Sequence, residues 1–151
     1  MYYLLALLMG LSIASQAPIN AALARSLGGS PLIAALISFV VGSLCLCVLC
    51  YFSGVLNIAT FKALGAQSWW KFLGGILGAF FVFGTILLAP KIGLINMFLL
   101  ALVGQLITSM ILDSIGAFGL AIKPISLHKI IGLCVVIAGL AIFFYKELSG
   151  E

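Results

Sequence analysis

Charge is what this sequence has least of. Only 7% of its 151 residues are charged: three Asp or Glu against seven Lys or Arg, with a single His. Soluble domains carry about 25% charged residues and about 45–50% apolar ones. Here 65% of the residues are hydrophobic, and a soluble chain of this length cannot hide so much apolar surface from water. Lipid is therefore the expected solvent for most of the chain. The net charge of +4 is spread thinly, which leaves no footprint for nucleic acid. Catalytic equipment is as scarce. No apolar segment holds a nucleophile beside a base or a cluster of metal ligands, so neither an enzyme nor a cofactor or metal site is expected. Cys45, Cys47 and Cys50 form C-x-C-x-x-C, but inside a Leu/Val run rather than as spaced pairs on turns. They read as small packing residues.

Five stretches are apolar enough and long enough to cross a bilayer, at about 3–24, 31–55, 70–89, 92–115 and 129–145; a span needs roughly 20 residues. The first resembles a secretory signal at "MYYLLALLMGLSIASQA", but no Lys or Arg precedes its core and the apolar run continues past Ala17. It is expected to be retained. Pro31 suits the first turn of the second span, Pro90 is expected to end the third, and Gly116 to cap the fourth. The chain thus reads as a single all-α integral membrane domain. The loops "NIATFKALGAQS" and "AFGLAIKPISLH" are the longer ones, and the latter is apolar enough to lie along the membrane surface. Trp69 and Trp70 fall where an aromatic belt is expected, and His128 beside Lys129 reads as interfacial.

Five spans place the termini on opposite sides. Lys62, Lys71, Lys123 and Lys129 then share the amino-terminal side, and Arg25, Lys91 and Lys146 the other. Orientation follows the Lys/Arg excess in short loops, and four against three is almost no instruction. Transporters often pair inverted repeats about a midplane site. An odd number of spans with no second half suggests that an inverted second copy supplies the missing repeat.

Polar residues inside the spans are few and aligned. On the first, Ser12, Gln16 and Asn20 share a face bordered by Ser15, and Gln16 lies about 4 Å from the midpoint. Pro18 leaves the Ala14 carbonyl without a donor. On the fourth, Gln105, Ser109 and Asp113 step at four with Thr108 beside them, and Gln105 is central. An inverted pair would bring four carboxamides to the midplane, which suits neutral polar or zwitterionic groups. Either a substrate site or interhelical hydrogen bonding explains these faces. Asp113 is the one carboxylate within a span. It sits where the helix dipole disfavours it, so a structural ion pair with Lys71, Lys123 or Lys129, or else a coupling or substrate role, is expected. Gly74 and Gly78 form G-x-x-x-G, and Ala34, Ser38 and Gly42 step at four; such small faces serve helix packing.

Four segments in order resemble a known family: "QAPINAALARSLGGSPLIAALISFVVGSL", "WWKFLGGILGAFFV", "APKIGLINMFLLALVGQLITSMILDSIGAFG" and "HKIIGLCVVIAGLAI". The chain resembles the YdcZ-like small proteins of the drug/metabolite transporter superfamily. That resemblance implies five transmembrane helices, half of a ten-helix inverted-repeat transporter fold, in the bacterial inner membrane. It also implies antiparallel pairing, with a second copy or with an oppositely oriented relative. The small multidrug exporters of the superfamily use a glutamate on their first helix. The first span here has none, which argues against cationic drugs as substrates. The expected function is transport of a small polar metabolite by alternating access. A passive channel and a non-transporting accessory subunit are the alternatives.

Overall fold

A computed structural model describes residues 1–145. Lys146, counted above on the second side, lies outside the described residues. Among the described residues six α-helices follow one another: α1 Tyr2–Ser26, α2 Pro31–Phe52, α3 Ile58–Gly65, α4 Leu73–Ile92, α5 Leu94–Ile115 and α6 Leu127–Phe143. A 3₁₀ turn, Trp69–Phe72, leads into α4. Four stretches are long and apolar enough to span a bilayer: Tyr2–Ser26, Pro31–Phe52, Trp69–Ile92 and Leu94–Ile115. The apolar α6 is shorter, at 17 residues.

Backbone chemistry sets the ends. After α1, Gly28 adopts φ +71° and the Gly29 amide donates to the Ala24 carbonyl at 2.9 Å, a Schellman cap. Ser30 then caps α2, its Oγ accepting from the Ile33 amide, with Pro31 in the first turn. The same device ends α2: Gly54 is at φ +67°, and Val55 and Gly54 donate to the carbonyls of Cys50 and Tyr51. The helix therefore stops at Phe52 rather than running to Val55. Pro90 does not stop α4, which continues to Ile92 and ends at Gly93, φ +82°. Proline removes one donor and crowds the carbonyl four residues back, a defect a membrane helix tolerates. The longer loop after α2 contains α3, capped by Asn57, whose Oδ1 accepts from the Thr60 amide at 2.9 Å.

The chain divides into two units, Met1–Leu94 and Ile95 onward. In the first, α1, α2 and α4 pack against one another. The C-terminal end of α1, the N-terminal end of α2 and the second half of α4 meet at Ala24, Ala34, Ala35 and Ile86, of which Ala34 is 0% and Ile86 1% exposed. So α1 and α4 run parallel and α2 opposes them. The buried face of α1 is nearly all alanine, with Ala17, Ala21 and Ala24 around Asn20. Methyl-sized side chains let backbones approach, and van der Waals contact is what holds helices together in lipid. Gly78 lies against Phe39: a Cβ there would meet the ring at 3.6 Å. Gly74 and Gly42 have no such neighbour within 4 Å.

In the second unit α5 ends at Gly116, in the left-handed region at φ +62°, ψ 35°. The chain then folds back, so that the Lys123 amide donates to the Asp113 carbonyl at 2.9 Å. A Cβ on Gly116 would stand 2.6 Å from Ile122 Cγ1 and 3.1 Å from the Leu120 carbonyl oxygen. The left-handed conformation alone costs an L-residue about 1–2 kcal/mol. Gly116→Ala is therefore expected to lower the thermal midpoint of the purified protein by several degrees. The open helical site Gly10 supplies the control, where Gly10→Ala leaves the midpoint unchanged or higher.

Candidate functional site

On α1 the four polar side chains fall into two pairs. The exposed Ser12 and Ser15 hydroxyls donate to their own helix, to the Leu8 and Leu11 carbonyls, both at 2.9 Å. Such back-bonding satisfies a hydroxyl without any neighbour. Gln16 and Asn20 lie one turn apart, Gln16 half-buried and Asn20 only 5% exposed, where α1 meets the other two helices. Asn20 Nδ2 is buried and donates to nothing. An unsatisfied buried donor costs about 1–3 kcal/mol, so a face made mostly of alanine carries one amide whose hydrogen-bonding need is unmet. Thr85 of α4, the other buried polar residue among those described, shows the contrast: its hydroxyl returns to the Val82 carbonyl at 2.8 Å. The sequence offered a sign of it, a lone Thr in an apolar run.

On α5, Gln105, Thr108 and Ser109 are exposed, and Asp113 is half-buried. Ser109 and Asp113 line a groove of about 410 Å³ shared with α6, to which α6 contributes Lys129. Gln105 and Thr108 stand outside that groove's lining. Of the three lysines considered for Asp113, Lys71 donates to Gln67 Oε1 at 2.6 Å and lies 5.8 Å from the Trp70 ring centre. Lys123 meets Asp113 through its backbone amide. Lys129 shares the groove but forms no ion pair with Asp113 within 4.0 Å. A second groove of about 350 Å³, between α2 and α4, is lined only by apolar residues, among them Leu32, Leu36, Phe39 and Phe83. Cys45 and Cys47 are exposed on α2 and Cys50 is half-buried, all with free thiols.

The arrangement thus holds polar groups inside membrane-length helices of both units. A family model described as "Putative inner membrane exporter, YdcZ" matches residues 1–142. The chain belongs to the YdcZ family. No curated protein and no solved structure matches it. As a YdcZ chain with four membrane-length helices it is a multi-pass protein of the inner membrane. In this YdcZ chain the buried amide of Asn20 lacks a partner, and the groove at Asp113 is lined by polar and apolar groups together.

Proposed function

We propose that this chain is a membrane transporter for a small polar metabolite, working by alternating access as an antiparallel homodimer. Membership of a family described as exporters carries the transport reading and favours export as its direction. The residues proposed to serve the substrate are Gln16 and Asn20 on α1, with the Ser12 and Ser15 hydroxyls beside them, and, in the other unit, Gln105, Thr108 and Ser109 on α5. Gln16 lies two residues from the middle of its own helix, and Gln105 is central in α5. An exposed carboxamide at the centre of a membrane helix is costly in hydrocarbon, by about 1–3 kcal/mol on mutational scales. A second copy covering that face relieves the cost.

The fifth span in this reading is α6. Its 17 residues rise about 26 Å, at the lower end of what crosses a bilayer. Two five-span chains in opposite orientations then form the ten-helix inverted repeat. Saturable counterflow in liposomes tests the carrier; linear, non-saturating flux would establish a channel instead, and no flux of any solute would leave an accessory subunit. The assembly has its own test. A cysteine placed at the C-terminus, in a background without the native four, should take membrane-impermeant label from both sides. Two Lys added near Tyr2 should drive one orientation and suppress transport until an oppositely biased copy is co-expressed. Full activity from uniformly oriented chains without a partner would rule out the inverted pair.

A further inference from the structure

The groove between α5 and α6 has an unusual electrostatic make-up. Asp113 stands two residues from the C-terminal end of α5, and Lys129 two residues from the start of α6. A helix C-terminus carries partial negative charge and an N-terminus partial positive charge. Each side chain therefore has the sign that its own helix end disfavours. The obvious relief is a mutual ion pair, and none forms within 4.0 Å. The helices themselves stand apart: no Cα of α5 comes within 8 Å of a Cα of α6. Ser109, one turn deeper on α5, also lines the groove, and its hydroxyl makes no bond of the kind that Ser12, Ser15 and Ser114 make to their own helices. Further along, the walls are apolar: Leu106 on α5, Leu133 and Val136 on α6. Gly132, one turn past Lys129, adds no side chain, and a Cβ there would meet nothing within 4 Å.

We propose that this groove binds a small zwitterion with an apolar tail. Its ammonium goes to Asp113, its acidic group to Lys129 with Ser109 donating a hydrogen bond, and its tail lies along Leu106, Leu133 and Val136. A ligand carrying both charges offsets both unfavourable helix-end interactions at once, while one carrying a single charge leaves the other unanswered. At about 410 Å³ the space is in the range of small-molecule pockets. Two sources share this chemistry: a free apolar amino acid and the ammonium-phosphate headgroup of a membrane lipid. The inference rests on the transport reading for its role: the groove is a further station for the substrate, apart from the carboxamides of α1 and α5, and it names the substrate class, while binding is measured separately from flux.

The test uses purified full-length protein and leucine as the probe, with isopentylamine and 4-methylpentanoate as analogues lacking one charge each. Leucine should raise the thermal midpoint at concentrations about tenfold below those needed by either analogue. Asp113→Asn should remove the preference for leucine over 4-methylpentanoate, and Lys129→Gln the preference over isopentylamine. The exchanged pair, Asp113→Lys with Lys129→Asp, should recover leucine binding. If the source is lipid, leucine fails. In that case native mass spectrometry shows phosphatidylethanolamine retained by the wild type, lost from both single variants and not replaced by phosphatidylglycerol. Neither ligand binding, or binding indifferent to both variants, overturns the proposal. Flux of another solute that survives both variants would keep the transporter and discard the groove. Leucine bound without any flux would keep the groove and discard the transporter.

Discussion

Asn20→Leu is expected to give a protein that is harder to unfold and transports less. The substitution keeps the side-chain size roughly constant and removes a donor that has no partner. Since the buried Nδ2 is unsatisfied, its removal should stabilise the helical unit by about 1–3 kcal/mol. In a detergent denaturation series that appears as a higher midpoint. Transport should fall by about tenfold or more, the equivalent of one lost hydrogen bond to substrate. A stabilised variant with full transport would show that Asn20 has no part in the site. A destabilised one would show that Nδ2 finds a protein partner in the assembled pair.

Gln16→Ala and Gln105→Ala are expected to bring uptake close to background while the pair of chains still assembles. Gln16 is half-buried and Gln105 exposed in the single chain, so neither is needed to fold its own unit. If both serve the substrate, each truncation costs transport and leaves the elution volume in size-exclusion chromatography unchanged. If they serve only as hydrogen bonds between chains, worth about 0.6 kcal/mol each, the dimer weakens and flux falls with it. Running both measurements on the same two variants separates the readings.

The sequence was most informative where physics is local. Hydrocarbon-length apolar runs mark α1, α2, α4 and α5 to within a few residues, and Gly116 reads as a cap, in keeping with its left-handed φ. Errors fell where two local signals compete. Pro90 reads as a stop, but the next glycine, Gly93, is what frees the chain to turn. At the end of α2 the hydrophobicity runs on to Val55, while Gly54 at positive φ ends the helix at Phe52. Asn57 with Thr60 was a legible cap inside a segment read as loop. The site was less legible. Side-chain periodicity put Ser12 and Ser15 on one polar face with Gln16 and Asn20, yet hydroxyls can return to their own backbone and carboxamides in these positions do not. Nor did spacing show that Lys129 shares a groove with Asp113 without pairing to it; that depends on how α5 and α6 stand, which no single-helix pattern encodes.

The shortness of α6 bears on the lipid around it. In the proposed five-span reading, a helix rising about 26 Å meets a hydrocarbon layer of about 30 Å, a hydrophobic mismatch to be absorbed by thinning the bilayer or by stretching the flanking residues toward the surface. Lys129 in its first turn can extend its ammonium to the headgroups while its methylenes remain in the apolar layer. Thicker membranes would draw that ammonium further from the groove floor. Acyl-chain length is thus a physical variable to which this edge of the molecule responds, and reconstitution in short-chain lipid favours the Lys129 geometry described above.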